Sequence, residues 1–125
     1  MRRALIAAVL LLSLIGQAHA DYAGNREPLL SRNVGTGRKV VASAGTAEAI
    51  STADITINKV IVTAETDNTG IIVVGGSGVV ASLSTRQGTP LSAGASVTLP
   101  VNRLTGVYID ATVTGDGVTF TYFLG

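Results

Sequence analysis

The sequence predicts an all-β protein with a single antiparallel β-sandwich of seven or eight short strands. Short runs rich in Val, Ile and Thr alternate apolar with polar residues, and Gly, Asn and Asp separate these runs at near-regular intervals. After the N-terminal segment, no stretch keeps a helical apolar period over about ten residues. A jelly roll and an immunoglobulin-like sandwich both fit, although the immunoglobulin Cys-Trp-Cys signature is absent because the chain has neither residue type.

Residues 1–20 have the pattern of a secretory signal peptide. A positive start, Met1-Arg2-Arg3, precedes an almost entirely apolar run and the small-x-small sequence Ala18-His19-Ala20. The alternative is an uncleaved membrane anchor, but the apolar run of about a dozen residues is shorter than the roughly 20 needed to span a bilayer. We therefore expect a signal-like apolar helix that is removed before Asp21, with membrane contact only through this segment if it is retained.

The composition of the remaining chain argues against nucleic acid as a partner. Loss of Arg2 and Arg3 leaves seven of the nine basic residues against all eight acidic ones, a net charge of −1. The pair Arg38-Lys39 is better explained as a solvated strand end than as a phosphate site. Cysteine is absent, so an exported domain of about 100 residues must rely on its core alone.

Residues 21–37 are predicted to form an extended arm or linker before a domain that covers residues 38–125. The segment is polar and irregular, with Pro28 and several glycines, and Leu29-Leu30 is the one apolar pair that could dock it. A disordered leader is the alternative interpretation.

The centre of the predicted domain is Lys59–Val74, interpreted as a β-hairpin whose two strands are joined at Asp67–Gly70. The apolar parity shifts near Asn58, as a β-bulge would produce. Further strands are expected at Lys39–Ser43, Ala47–Thr52, Val79–Leu83, Ser96–Val101, Gly106–Val113 and Val118–Leu124. Alternation places one set of side chains in the core: Val97, Leu99, Val107, Ile109, Ala111, Val118, Phe120, Tyr122 and Leu124.

No catalytic, cofactor-binding or metal-binding residue is predicted. The single histidine, His19, lies in the segment expected to be removed, which argues against Ser-His-Asp, Cys-His and most zinc sites. Asp67-Asn68 and Asp116 bring too few oxygens for calcium and suit turns instead. Asp110 lies on the strand face opposite Ile109, so we expect it in solvent or at an interface and not in a catalytic carboxylate pair.

A glycine-rich segment and a pair of aromatic residues are interpreted as structural features and not as binding sites. Gly75–Gly78 follows a strand but lacks the Lys-Ser/Thr ending and the helix of a phosphate loop, which favours a flexible connection. Tyr108 and Phe123 are predicted to point outward on adjacent strands, where two aromatic side chains would form a modest contact patch. The absence of Trp argues against a carbohydrate platform or a single-strand binder.

The stretch Val40–Gly125 resembles small virion proteins of tailed phages and their prophage relatives. The shared pattern is a strand, an Asn-Thr-Gly turn, a Val-Gly-x-Ser turn, a Pro-Leu-x-Ala-Gly-x-Ser-Val-x-Leu stretch, a Leu-x-x-Val-Tyr-Ile/Val-Asp strand and a terminal aromatic strand. The matching positions are Asp67–Gly70, Val74–Gly78, Pro90–Leu99, Leu104–Asp110 and Gly117–Gly125. The resemblance implies a non-enzymatic structural domain on a capsid or tail surface.

Two functions from different classes follow as expectations. The first is capsid decoration, a head fibre or a tail accessory, repeated in many copies on the virion surface through contacts with other virion proteins. The second, favoured by the signal pattern because virion proteins assemble in the cytoplasm, is an exported protein that adheres or assembles in the periplasm or outside the cell with envelope proteins or its own copies. A hydrolase or a carbohydrate-binding module lacks the necessary residues, so neither an enzyme nor a small-molecule substrate is predicted.

Overall fold

The computed structural model describes residues 33–124, and these residues form two four-stranded antiparallel sheets. The strands are β1 (Asn33–Val40), β2 (Glu48–Ala49), β3 (Ile57–Ala64), β4 (Ile72–Gly75), β5 (Thr89–Leu91), β6 (Ser96–Leu99), β7 (Tyr108–Ala111) and β8 (Gly117–Leu124). Leu83–Thr85 and Leu104–Gly106 form single 3₁₀ turns. The all-β prediction is thereby confirmed for the described residues. The predicted N-terminal helix and residues 21–32 of the predicted arm lie outside them.

The strand order follows from nested pairing along the chain. β1 pairs with β8, β2 with β7, β3 with β6 and β4 with β5. Two more pairings, β3 with β8 and β4 with β7, join these ribbons into a first sheet of order β1-β8-β3-β6 and a second of order β2-β7-β4-β5. The chain therefore behaves as one long antiparallel ribbon that is folded over on itself.

The main core lies between the two sheets. The first sheet contributes buried residues such as Val60, Val62 and Phe120, and the second contributes Ile72 and Ile109 to the same cluster. Alternation in β7 and β8 predicted their inward side chains, and the structure confirms them: Val107, Ile109, Ala111, Val118 and Phe120 are buried, and Tyr122 and Leu124 pack against the cluster while partly exposed. The predicted bulge is also confirmed, because the β3–β8 register shifts between Ile57 and Lys59.

The predicted hairpin at Lys59–Val74 is wrong. Its two strands, β3 and β4, belong to different sheets, so the connection is a corner and not a hairpin turn. The corner residues bond to the start of β8: the Asn68 side chain exchanges two 2.9 Å hydrogen bonds with the backbone of Gly117. Asn68 thus replaces a strand partner for Gly117, which lets the chain cross between sheets without losing backbone bonds.

Other boundaries also differ from the predictions. The arm was expected to continue to Gly37, but residues 33–37 are the first half of β1. No strand covers the predicted Val79–Leu83: within the described chain, Val80 forms one isolated bridge to Gln87, and the 3₁₀ turn begins at Leu83. The sequence predicted no strand between Leu83 and Ser96, but the short strand β5 lies there.

Candidate interaction surface

The outer face of the second sheet is covered by two connections of the chain. Val73 of β4 packs there with Val79 and Ala81 of the β4–β5 connection in a second buried cluster, and Tyr108 and Ala47 pack against it. Both faces of β4 are therefore buried, which suits the continuous apolar run of this strand. The covered face offers little sheet surface to a partner.

Asp110 holds this covering in place. The side chain was predicted to be solvated or at an interface, and that prediction is wrong, because the residue is only 1% exposed. Its Oδ1 accepts the backbone N–H groups of Gly45 and Ala111, both at 2.8 Å, and its Oδ2 accepts the N–H of Ala81 at 2.9 Å. One carboxyl group thus ties β7 to the β1–β2 and β4–β5 connections, and it is a structural centre.

Asp116 plays the same part at the corner between the sheets. Its Oδ1 accepts the N–H of Thr69 at 3.0 Å and its Oδ2 accepts the N–H of Gly70 at 2.8 Å. Asp116 and Asn68 thus bind backbone groups that lie 46 to 49 residues away and not in their own turns, whereas the Asp67 side chain is exposed. Among residues 33–124, no three acidic side chains come together in a way that could hold a metal ion.

The outer face of the first sheet, in contrast, is open. We call it the open face; it consists of the outward side chains of the four strands β1, β8, β3 and β6, all of them exposed or partly exposed. The register aligns Thr36, Thr121, Ile61 and Thr98 in one row across the sheet and Arg38, Thr119, Thr63 and Ser96 in the next. Six of these eight side chains carry a hydroxyl group. The open face is consequently polar but uncharged over most of its area.

The predicted aromatic patch is not formed. Tyr108 lies on β7 in the second sheet and Phe123 on β8 in the first, so the two rings are not on adjacent strands. Phe123 lies at one end of the open face, where the Lys59 ammonium stands 4.8 Å from its ring centroid. Tyr108 instead packs against the second cluster.

The edge of β1 adjoins the open face. Four edge strands bound the two sheets, and three of them are protected in the ways that proteins use against unwanted pairing: β2 has two residues, β5 has three including Pro90, and β6 has four and is followed by Pro100. β1 has eight residues, an unbroken register with β8 and no proline. Of the edges in the described chain, β1 is the long unprotected one.

A groove of about 400 Å³ runs beside this edge. Thr36–Lys39 forms one wall and Ser51–Ala53 the other, and the apolar part of the lining comes from Ile50, Ile55, Leu104, Phe120 and Tyr122. The inner side of β1 carries glycine at positions 35 and 37, so no side chains from those positions fill the groove. The sequence alone gave no signal for this groove, because its walls are about 15 residues apart and meet only through the fold.

The basic pair on β1 is neutralised by two glutamates. The Arg38 Nη2 donates to Glu65 Oε1 at 3.0 Å, and the Lys39 Nζ lies 3.1 Å from Glu48 Oε1. The Arg38 guanidinium lowers the pKa of Glu65 below its usual range. Burial raises the pKa of Glu48, but the N–H groups of Ser43 and Ala42 and the Lys39 ammonium outweigh this effect, and the net pKa is lowered. Arg38 and Lys39 therefore do not form a free anion site.

Because these pKa values are lowered, the free energy of unfolding is expected to fall at acid pH. Because each folded carboxyl titrates below its unfolded counterpart, the stabilisation is complete above the unfolded glutamate pKa of about 4.3 and is lost as the pH falls through the lower folded values. We expect urea unfolding at a series of pH values to show a steeper acid loss of stability in the wild type than in the Glu65→Gln/Glu48→Gln double variant. Equal slopes for the two proteins would contradict this assignment.

The comparisons with known proteins add no relative. No family model, no curated protein and no solved structure matches this chain. No helix within residues 33–124 has the length and the apolar character needed to cross a membrane.

Proposed function

We propose that this protein is a non-enzymatic structural component that works through protein–protein contacts on a phage-like particle, as surface decoration or as a head or tail accessory. The observation that carries the proposal is the asymmetry of the two sheets. One face is covered and tied down by Asp110, while the other is open and continues into the unprotected edge of β1. A domain that presents one open face and one unprotected strand edge is suited to repeated contacts.

The strand order supports a jelly-roll assignment within this proposal. Nested pairing of eight strands into sheets β1-β8-β3-β6 and β2-β7-β4-β5 is the arrangement of a double-sheet jelly roll, an architecture used in viral capsids and lectins. An immunoglobulin-like sandwich distributes its strands differently, with A, B, E and D in one sheet and C, F and G in the other. Because one fold serves many functions, the strand order supports the capsid role only as an analogy.

The use of the acidic side chains also supports a structural role. Asp110 and Asp116 bind backbone N–H groups, and Glu48, Glu65 and Asp54 pair with basic side chains. Carboxyl groups that are engaged in this way stabilise loops and are not positioned to exchange protons with a substrate.

The alternative is an exported protein that adheres or assembles in the periplasm or outside the cell, and the signal pattern of residues 1–20 favours it. The same open face and edge would serve such an assembly. In this case the mature chain is expected to begin at Asp21.

Mass spectrometry distinguishes the two locations. Purified particles from the producing cells are expected to contain peptides of residues 33–124 in many copies per particle, on the virion surface. A chain that begins at Asp21 in the periplasmic fraction, together with its absence from particles, would reject the particle role and support the exported one. A gene neighbourhood without capsid or tail genes would weigh in the same direction.

A further inference from the structure

We propose that the free edge of β1 pairs with β1 of a second copy of this chain, in an antiparallel dimer that joins the two first sheets into one continuous sheet. The inference names a partner for the interaction role proposed above. It rests on that role only for its biological use, since dimerisation of the purified chain is measured without any particle.

The hydrogen-bond pattern identifies which groups of β1 face outward. Val41 donates its N–H to the Asp116 carbonyl and accepts the N–H of Gly115, so position 41 faces the β8 side. Antiparallel ladders alternate strictly, and the β1–β8 register is unbroken, so the backbone groups at positions 34, 36, 38 and 40 face away from β8. In the described chain, no other strand pairs with that side of β1.

The two ends of this free side are already closed by local contacts. Val34 donates its N–H to the side chain of its neighbour Asn33 at 3.1 Å, and beyond the strand Ala42 donates its N–H to Glu48. The central stretch between them borders the groove of about 400 Å³ described above. The groove therefore adjoins the part of β1 where the unpaired backbone groups lie.

The sequence of β1 is self-complementary in one register. Outward positions must pair with outward positions, and three antiparallel registers centre on the strand. The register centred on Gly37 places Val34 opposite the partner's Val40 and Thr36 opposite the partner's Arg38. The register centred one residue later sets Arg38 against its own copy, which is unfavourable. The register centred one residue earlier leaves Val40 without a partner.

The Gly37-centred register pairs most of the outward backbone groups of β1. The two pairs of Thr36 with Arg38 exchange two backbone hydrogen bonds each and the two pairs of Val34 with Val40 one each, because the Val34 N–H stays with Asn33, giving about six in all. Val34 and Val40 are 55% and 36% exposed. In the dimer, Val34 of each copy would cover Val40 of the other copy, so the contact occurs at both ends of the paired strands. On the inner side, Lys39 faces the partner's Gly35, and Gly37 meets its own copy. The glycines therefore leave room for the Lys39 side chain and allow the two backbones to approach closely at the centre of the register.

Proline at position 36 tests the proposal without disturbing the β1–β8 ladder. Thr36→Pro removes an outward N–H and places a ring in the path of the second strand, whereas every bond to β8 comes from odd-numbered positions. Thr98→Pro is the matched control, because Ala64 N–H donates to Ala95 at the β6 edge and position 98 consequently faces outward there too. In sedimentation experiments over a concentration series, we expect a wild-type dimer, an unchanged Thr98→Pro dimer and a dissociation constant raised by about 100-fold in Thr36→Pro.

Charge variants test the register. Val34→Glu alone buries a charge opposite Val40 and is expected to weaken the dimer, while Val34→Glu combined with Val40→Lys places opposite charges across the axis and is expected to restore it. Val40→Lys alone should weaken the dimer in the same way.

Several outcomes would overturn the proposal. They are a wild-type chain that stays monomeric over the whole series, a Thr36→Pro dimer as tight as the wild type, or a double charge variant no tighter than its singles. A monomer whose amides at 36, 38 and 40 resist hydrogen exchange would show that residues 21–32 of the same chain cover the edge. None of these results bears on whether particles contain the protein, which mass spectrometry decides separately.

Discussion

Replacing Asp110 with alanine is expected to destabilise the protein by about 3–5 kcal/mol, because three N–H groups, two of them in buried hydrogen bonds, lose their acceptor together. The partners are Gly45, Ala81 and Ala111, and two of them belong to connections that no strand pairing holds at those points. Urea unfolding at neutral pH measures the loss. For a domain of this size the melting temperature would fall by roughly 15 °C or more.

Two further variants make this prediction specific. Asp67→Ala removes an exposed carboxylate and is expected to stay within about 0.5 kcal/mol of the wild type. Asp110→Asn keeps one acceptor oxygen but turns an amide N–H₂ toward a backbone donor, so its loss is expected to lie between those of the wild type and Asp110→Ala. Asp110→Ala within about 1 kcal/mol of Asp67→Ala would show that the connections find other acceptors.

The loss is expected to begin at the covering of the second sheet. In native-state hydrogen exchange, the amides of Gly45 and Ala81 should open in Asp110→Ala under conditions where β3 and β8 stay protected. Opening would uncover Val73, Val79 and Ala81, so the variant is also expected to aggregate more readily. This order of opening would show that Asp110 holds the two connections over the outer face of the second sheet.

Alternation along single strands was predictable from the sequence, and coverage of a sheet face was not. The inward positions of β7 and β8 and the bulge near Asn58 follow from period-2 patterns that depend on neighbours in the chain. The same alternation placed Asp110 on the outer face correctly. Its burial comes from residues about 30 and 65 positions away, which a local pattern does not report. The apolar run Ile71–Val74 was the available signal, since a strand that is apolar on both faces is typically buried on both.

The hairpin error has a related cause. Asp67–Gly70 contains residues that reverse a chain, but the same residues serve equally well at a corner between sheets. What decides between them is the partner of Asn68, and that partner, Gly117, is 49 residues away. The nested strand order and the groove beside β1 depend on such distant pairings. They could not be derived from spacing alone, which left the jelly roll and the immunoglobulin-like sandwich equally open.

Truncation of Phe120 is the second large effect that the structure predicts. The ring is 6% exposed and lies in the main core, so Phe120→Ala is expected to cost about 3–5 kcal/mol in urea unfolding. The ring also lies across β1: a Cβ at Gly37, its cross-strand neighbour, would come within 2.3 Å of the ring. Glycine at this position allows that close approach, and Gly37→Ala alone is expected to cost about 1–3 kcal/mol through overpacking.

The two changes are expected to compensate each other in a double-mutant cycle. Once the ring is gone, a methyl group at position 37 fills part of the cavity and lowers the entropy of the unfolded chain, so Gly37→Ala should stabilise the Phe120→Ala background by about 0.5–1 kcal/mol. Gly76→Ala is the matched control, because a Cβ there meets nothing within 4 Å and should behave alike in both backgrounds. Costs that simply add, within about 0.5 kcal/mol, would mean that the ring can move aside and does not hold the inner side of β1. Coupling of the expected sign would show that the Phe120 ring of β8 packs against the inner side of β1 at Gly37 and supports the edge strand there.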